Sequence, residues 1–88
     1  MFKTTITIPN FTAPSEAVRA QIAAEVQSML DANKYTGEES QTFDKETTTK
    51  TVQRWNWVDE ASATEYVNVA VAAIETELPG VLSQITPV

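Results

Sequence analysis

The 88-residue chain is 42% hydrophobic and 20% charged, which is enough apolar material for one small folded domain over residues 1–88 and too little for two. Twelve acidic residues against six basic ones give a net charge of −6, which disfavours non-specific attraction to nucleic acid and to anionic membranes. Cysteine and histidine are absent, so disulfides, thiolate metal sites and the usual catalytic triads are excluded.

The first two predicted elements are a strand and a helix. Residues 2–8, FKTTITI, alternate apolar side chains such as Ile6 and Ile8 with polar ones, the pattern of a half-buried strand. Residues 13–34 change to helical spacing, and their larger apolar side chains fall on one side. These side chains are Val18, Ile22, Val26, Met29 and Leu30. The pattern predicts an amphipathic helix directly after the strand.

A hairpin, a second helix and a last strand follow. Residues 35–43 and 47–58 are rich in threonine and aromatic side chains and flank the polar DKE, which predicts two paired strands. Asp59 or Ser62 can cap the next helix, and SATE at 62–65 has capping-box spacing. The apolar stripe of this helix consists of Ala63, Val67, Ala70, Val71, Ile74 and Leu78. A Pro-Gly pair ends it, and VLSQITPV has the apolar pattern of a fourth strand.

The predicted order of elements is strand, helix, strand, strand, helix, strand. This order matches the α+β class and the ferredoxin-like βαββαβ sandwich, in which an antiparallel sheet carries two helices on one face. Both helices follow strands, as right-handed crossovers require. The helices then cover one face of the sheet, and the other face is open unless a partner covers it.

The third strand carries two tryptophans, Trp55 and Trp57, which share one face if the strand is regular. Lys50, Val52 and Arg54 share the other face. Burying Arg54 without a partner would cost roughly several kcal/mol, which is more than the stabilisation that burial of Val52 provides. We therefore expect the tryptophans to face the helices and the other three residues to lie on the open face, where a second sheet could pack in a dimer. A bulge in this long strand would change the assignment.

An alternative interpretation places both tryptophans on the open face. There Trp55 and Trp57 could stack on nucleic-acid bases, with Lys50 and Arg54 contacting phosphates. The chain has few basic residues, however, and it lacks the glycine- and aromatic-rich strand signature of sheet-based RNA binders. A nucleic-acid-associated sheet module is therefore the second choice.

Enzymatic activity would have to depend on carboxylates. Glu38 with Glu39 and Asp44 with Glu46 are the adjacent candidates, but neighbouring acids in a polar loop are typical of solvated charge. The regular ligand spacing and glycine of a calcium-binding loop are missing from this segment. We expect no enzyme activity, no cofactor and no metal.

The second helix also carries small apolar residues outside its main stripe, at Val69, Ala72 and Ala73. Alanine is a good helix former and needs no further explanation. A helix with apolar residues on two sides is nevertheless seldom fully exposed. We expect a protein partner or a second copy of the chain to contact the open sheet at Val52 and Arg54, this side of the helix at Val69, Ala72 and Ala73, or a free sheet edge.

The segment RWNWVDEASATEYV, residues 54–67, resembles a join found in small uncharacterised tailed-phage proteins. A strand ends in arginine and tryptophan, an acidic or serine cap follows, and a helix opens with alanines and an aromatic residue. The resemblance is carried by Arg54, Trp55, Asp59, Ala61, Ala63 and Tyr66. It implies a ferredoxin-like fold and a viral source, and it assigns no catalytic or binding residue.

The prediction for function is a phage-type protein-interaction module, either a virion component or an inhibitor of a host protein. It would act as a homodimer or within a larger assembly, without catalysis. The first residues lack the long apolar core of a signal peptide, so we expect the protein in the host cytoplasm or in the virion.

Overall fold

A computed structural model describes all of residues 1–88. Six elements follow one another along the chain: β1 Phe2–Ile8, α1 Glu16–Asp31, β2 Glu39–Asp44, β3 Thr49–Trp57, α2 Glu60–Glu75 and β4 Leu82–Pro87. The order of these elements confirms the predicted ferredoxin-like α+β fold. Neither helix has the length and apolar character that spanning a membrane requires.

The four strands form one antiparallel sheet in the order β2-β3-β1-β4. β1 and β3 occupy the centre, and β2 and β4 form the two edges. α2 lies on the sheet and packs against α1, whereas no Cα of α1 comes within 8 Å of a Cα of any strand. The half of the sheet that β2 and β3 form is therefore covered less closely than the half beneath α2.

Each helix begins at a side-chain cap. Ser15 Oγ accepts a hydrogen bond from the backbone N–H of Val18 at 3.3 Å at the start of α1. Asp59 Oδ1 accepts from the backbone N–H of Ser62 at 2.8 Å at the start of α2. This hydrogen bond holds the pKa of Asp59 below its usual range. Of the two predicted caps, Asp59 is the one used, and Ser62 lies buried in the first turn.

The core lies between the sheet and the two helices. Its buried hydrophobic residues are Ile6, Ile8, Val18, Met29, Tyr35, Trp57, Ala63, Tyr66, Val67, Ala70, Ala73, Ile74 and Leu78. Ala73 is only 2% exposed, so its predicted place on the uncovered side of α2 is wrong. The reason is that α2 packs against α1 as well as the sheet, and its buried arc is wider than one stripe. Ala72 is exposed and Val69 is half-buried.

β3 contains a bulge between Arg54 and Trp57. Thr4 pairs with Arg54 and Phe2 pairs with Trp57, so a step of two residues along β1 matches a step of three along β3. The extra residue lies next to Asn56, whose φ of 68° is in the left-handed region. Arg54 and Trp57 consequently point to the same side of the sheet, which is the side that carries the helices.

The bulge divides the two tryptophans between the faces. Trp57 is fully buried beneath the helices as predicted, but Trp55 lies on the open face, so that half of the prediction is wrong. Lys50, Val52 and Arg54 lie on the helix side because each pairs with a residue of β1 that is buried there. Their predicted place on the open face is therefore also wrong. The burial of Arg54 is tolerated because it is not unpaired: its guanidinium meets a carboxylate and two tyrosine hydroxyls.

Candidate functional site

Three aromatic rings are stacked inside the core near the bulge. Trp57 lies between Tyr35 and Tyr66, with ring centroids 4.2 and 4.7 Å from its own. Its indole Nε1 donates a hydrogen bond to Thr4 Oγ1 at 3.1 Å. All three rings belong to residues that are at most 2% exposed. Close packing on both sides holds the tyrosine rings in fixed positions.

The guanidinium of Arg54 lies beside this stack. Its Nε donates to Tyr66 Oη at 3.3 Å and its Nη1 donates to Tyr35 Oη at 3.4 Å. Its Nη2 forms an ion pair with the Glu39 carboxylate. Arg54 Cζ lies 5.9 and 5.7 Å from the ring centroids of Tyr35 and Tyr66, within the range of cation–π attraction. The arginine is therefore held from three directions.

The protonation states of the two central groups follow from these contacts. Burial raises the pKa of the Tyr66 hydroxyl above its ordinary value, although the charge of Arg54 acts in the opposite direction. Burial alone would lower the pKa of Arg54, but Tyr35, Tyr66 and Glu39 outweigh it, and the pKa of Arg54 is raised. Both groups stay protonated at neutral pH. They offer hydrogen-bond donors and positive charge, and neither can accept a proton there.

A cleft of about 260 Å³ opens between α1 and the β2–β3 half of the sheet. Its apolar lining consists of Ile6, Ile8, Phe11, Pro14, Ile22, Ala23, Val52 and Ile74. Its polar lining consists of Arg19, Glu39, Gln41, Lys50, Arg54 and Tyr66. Binding sites for small molecules begin at about 300 Å³ and combine apolar walls with a few convergent polar groups. The cleft has that composition and the size for a small organic compound.

The charge of the cleft is opposite to that of the whole protein. Three basic side chains, Arg19, Lys50 and Arg54, line it, and Glu39 is its one acidic side chain. The cleft thus holds three of the six basic residues and one of the twelve acidic residues, an excess of two positive charges in a chain of net charge −6. Lys50 Nζ lies 5.4 Å from the ring centroid of Phe11. A local excess of one sign attracts ligands of the other.

The residues proposed for nucleic-acid binding do not form one site. Trp57 is in the core, and Trp55 is half-buried on the open face with Lys3 Nζ 5.8 Å from its ring centroid. Lys50 and Arg54 line the cleft on the other side of the sheet. The predicted platform of two adjacent tryptophans beside two basic residues is therefore wrong.

The residues proposed for protein binding are also dispersed. Val52 and Arg54 line the cleft, and Ala73 is buried in the core. Only Val69 and Ala72 lie on the outer part of α2. The predicted positions of Val52, Arg54 and Ala73 are therefore wrong, whereas Val69 and Ala72 lie on the outer side of α2 as predicted.

The sequence reasoning missed the two tyrosines and misjudged Glu39. Glu38 and Glu39 were treated as one solvated pair, but Glu38 accepts a hydrogen bond from Asn56 at 3.2 Å and Glu39 pairs with Arg54. The one sequence signal for this arrangement was the asparagine in the strand, because asparagine tolerates positive φ. No group of three or more acidic side chains is close enough together to hold a metal ion.

The chain matches no protein-family model and no curated protein sequence. Its fold is similar to that of an uncharacterised protein from Thermotoga maritima, with 10% identity over 99% of this chain and 94% of that one and a TM-score of 0.57. A Deinococcus radiodurans protein, provisionally named an antibiotic biosynthesis monooxygenase, has 9% identity over 100% and 92% of the two chains and a TM-score of 0.54. A further antibiotic biosynthesis monooxygenase has 13% identity over 100% and 98% and a TM-score of 0.50.

At these identities the comparisons establish the ferredoxin-like fold and nothing finer. The prediction of a phage-type protein-interaction module is nevertheless wrong, because neighbours that share the whole fold are named as enzymes of antibiotic biosynthesis. Two of these neighbours are named as monooxygenases, whereas no enzyme activity was predicted for this chain. The resemblance of residues 54–67 to tailed-phage proteins is not touched by these comparisons and stays a prediction.

Proposed function

We propose that the protein binds a small organic molecule in the cleft between α1 and the sheet. The observation that carries this proposal is the convergence of Arg54, Tyr66 and Lys50 on a cavity with a mostly apolar lining. Two of these groups also have shifted pKa values, which is a feature of functional sites. The names of the structural neighbours support a role in the chemistry of small molecules.

Binding is tested with three eight-carbon probes, 1-octanol, octanoate and octylamine, whose head groups are neutral, negatively charged and positively charged at neutral pH. We expect at least one of them to shift the backbone amide NMR signals of cleft residues such as Ile22 and Val52. Ala23 lines the cleft and is exposed, so Ala23→Phe should fill the cleft and weaken binding. Ala24→Phe is the matched control, since Ala24 is exposed on the same helix outside the cleft. If none of the probes shifts the cleft signals, the proposal is wrong.

An enzymatic role is the second candidate, favoured by the neighbours named as monooxygenases. Because Arg54 and Tyr66 stay protonated, they suit the stabilisation of negative charge on a bound oxygen and not the removal of a proton. A ligand with an acidic oxygen of its own, such as a phenol, fits that environment. The test is uptake of dissolved oxygen in the presence of 1-naphthol, compared with Ala23→Phe and with heat-denatured protein.

We also propose that the protein forms a homodimer through the open face of the sheet. Charged side chains on this face are confined to Lys3 and Asp44, although the chain carries a net charge of −6. Its remaining side chains are Thr5, Thr7, Ser40, Thr42, Thr49, Thr51, Gln53, Trp55, Leu82, Gln84 and Thr86. Two such faces meet without the repulsion that other parts of the surface would produce.

The size of this face predicts a weak dimer. Four strands about 4.8 Å apart and about 23 Å long give the open face a flat projected area of roughly 430 Å². This area does not include the additional surface of the protruding side chains. A stable interface buries about 800 Å² on each partner. We therefore expect an average mass that rises with concentration in sedimentation velocity. Trp55→Glu should yield a monomer, whereas Ala72→Glu on the outer part of α2 should not; the reverse result would move the interface to α2.

A further inference from the structure

We infer that the cleft selects organic anions, and that Glu39 occupies at Arg54 the place that the carboxylate of the ligand takes. This inference rests on the proposed small-molecule function and adds two things to it, the charge of the ligand and the residue that competes with the ligand. Binding then exchanges one carboxylate for another on the same guanidinium.

Two of the three basic side chains in the cleft have no acidic partner. The two ion pairs of the structure are Arg54 with Glu39 and Lys34 with Glu65. Arg19 and Lys50 therefore line the cleft without forming an ion pair. A ligand that enters the cleft meets three positive side chains and one negative side chain. The electrostatic contribution to binding is therefore favourable for an anionic ligand and unfavourable for a cationic one.

Three nitrogen atoms of the Arg54 guanidinium each contact a different residue. Nε and Nη1 donate hydrogen bonds to Tyr66 and Tyr35, whose buried rings are held in place by stacking on Trp57. Nη2 pairs with Glu39, the first residue of edge strand β2. The Arg54 side chain is 16% exposed and the Glu39 side chain is 34% exposed. Glu39 is therefore the exchangeable contact of a fixed arginine.

Exchanging Glu39 for the carboxylate of a ligand costs little free energy. A carboxylate that is already one-third exposed recovers its water easily when it leaves, because partly exposed ion pairs are weak. The carboxylate of a ligand that takes its place keeps a charge-assisted hydrogen bond, and its apolar part packs on Ile22 and Val52 in the same cleft. The net free energy of binding therefore comes from the apolar part of the ligand and from Lys50. The contact with Arg54 makes the cleft prefer a ligand that carries a carboxylate.

The test compares the affinities of octanoate, 1-octanol and octylamine for three proteins, measured by titration of amide NMR signals. The wild type should prefer octanoate to octanol and octanol to octylamine. Glu39→Gln removes the competing charge and should tighten octanoate binding about tenfold, the size of one charge-assisted hydrogen bond, while octanol is unchanged. Glu38→Gln is the matched control: it makes the same change of charge one residue away, where the side chain contacts Asn56.

The outcomes separate this inference from the proposed function. If the probes bind but octanoate is not preferred to octanol, the inference fails and the proposed function stands; if no probe binds, the proposed function itself fails. Unchanged or weaker octanoate binding in Glu39→Gln overturns the exchange, and so does an equal gain in Glu38→Gln. Arg54→Gln should weaken octanoate binding several-fold and change octanol binding less, because Lys50 and Arg19 still line the cleft. Should that variant unfold, Lys50→Met, which changes a half-buried residue at the cleft wall, should weaken octanoate several-fold and leave octanol unchanged.

Discussion

Replacing Trp57 with alanine removes the central ring of the aromatic stack and is the most destabilising single change that the structure predicts. The side chain is fully buried, and truncation of a buried tryptophan costs about 3–5 kcal/mol. Each of its stacked partners, Tyr35 and Tyr66, adds about 0.5–1.5 kcal/mol beyond buried area. Thr4 Oγ1 also loses its donor in a buried position, at about 1–3 kcal/mol.

These contributions overlap, so the expected total for Trp57→Ala is about 4–6 kcal/mol. A chain of 88 residues has a free energy of unfolding of roughly 4–13 kcal/mol. The alanine variant should therefore lose at least about a third of this free energy, and at the lower end of the range it would be unfolded without denaturant. Trp57→Phe keeps a ring between the two tyrosines and loses the hydrogen bond, so it should cost only about 1–3 kcal/mol.

Urea unfolding followed by far-ultraviolet circular dichroism measures both values without using tryptophan as the probe. Trp55→Ala is the control, because Trp55 is only half-buried on the open face and should cost about 1 kcal/mol or less in the monomer. In Trp55→Phe the remaining Trp57 should emit at short wavelength and shift to the red on unfolding. A loss below about 1 kcal/mol for Trp57→Ala would refute the packing argument.

Two further predictions concern the backbone at Asn56 and the helix cap. Asn56→Val places a β-branched residue at a φ of 68° and should cost about 1–3 kcal/mol in urea unfolding, whereas Asn56→Gly should cost less. Asp59→Ala should lower the melting temperature at pH 7, because Asp59 accepts from the N–H of Ser62. The pKa of Asp59 is lowered in the folded state, so its stabilisation is present above the unfolded pKa of about 3.9 and is lost as the pH falls through the folded value. The difference between wild type and variant should therefore shrink in acid; a constant difference would contradict this.

The fold could be predicted from the sequence because its signals are local. The alternation of FKTTITI gives β1 its observed bounds, Phe2–Ile8. The change to helical spacing places α1 correctly, although the predicted helix was three residues too long at each end. The predicted second strand was less accurate: residues 35–38 form a loop in which only Tyr35 bridges to Trp57. Local periodicity predicts the type of an element better than its ends.

The candidate site could not be predicted, because its determinants are distant in sequence. Asn56 Nδ2 donates to the carbonyl of Gly37 and to the carboxylate of Glu38, which lie 19 and 18 residues away. The assumption that Arg54 would be unpaired if buried was reasonable from the strand alone. It was wrong because Glu39, on another strand, and tyrosines from two other parts of the chain supply its partners. Pairings of this kind appear only once the sheet and helices have come together.

The bulge explains how β3 contributes both a buried tryptophan to the core and an arginine to the cleft. Residues three apart in a regular strand point to opposite faces, so without the extra residue Arg54 and Trp57 could not both face the helices. With it, the fully buried ring fixes Tyr66, and that tyrosine fixes the arginine in the wall of the cleft. The place of Arg54 in the cleft wall therefore depends on one backbone irregularity. Together with Lys50 on the same face of β3 and Arg19 on α1, Arg54 gives the cleft an excess of positive charge in a chain with a net charge of −6.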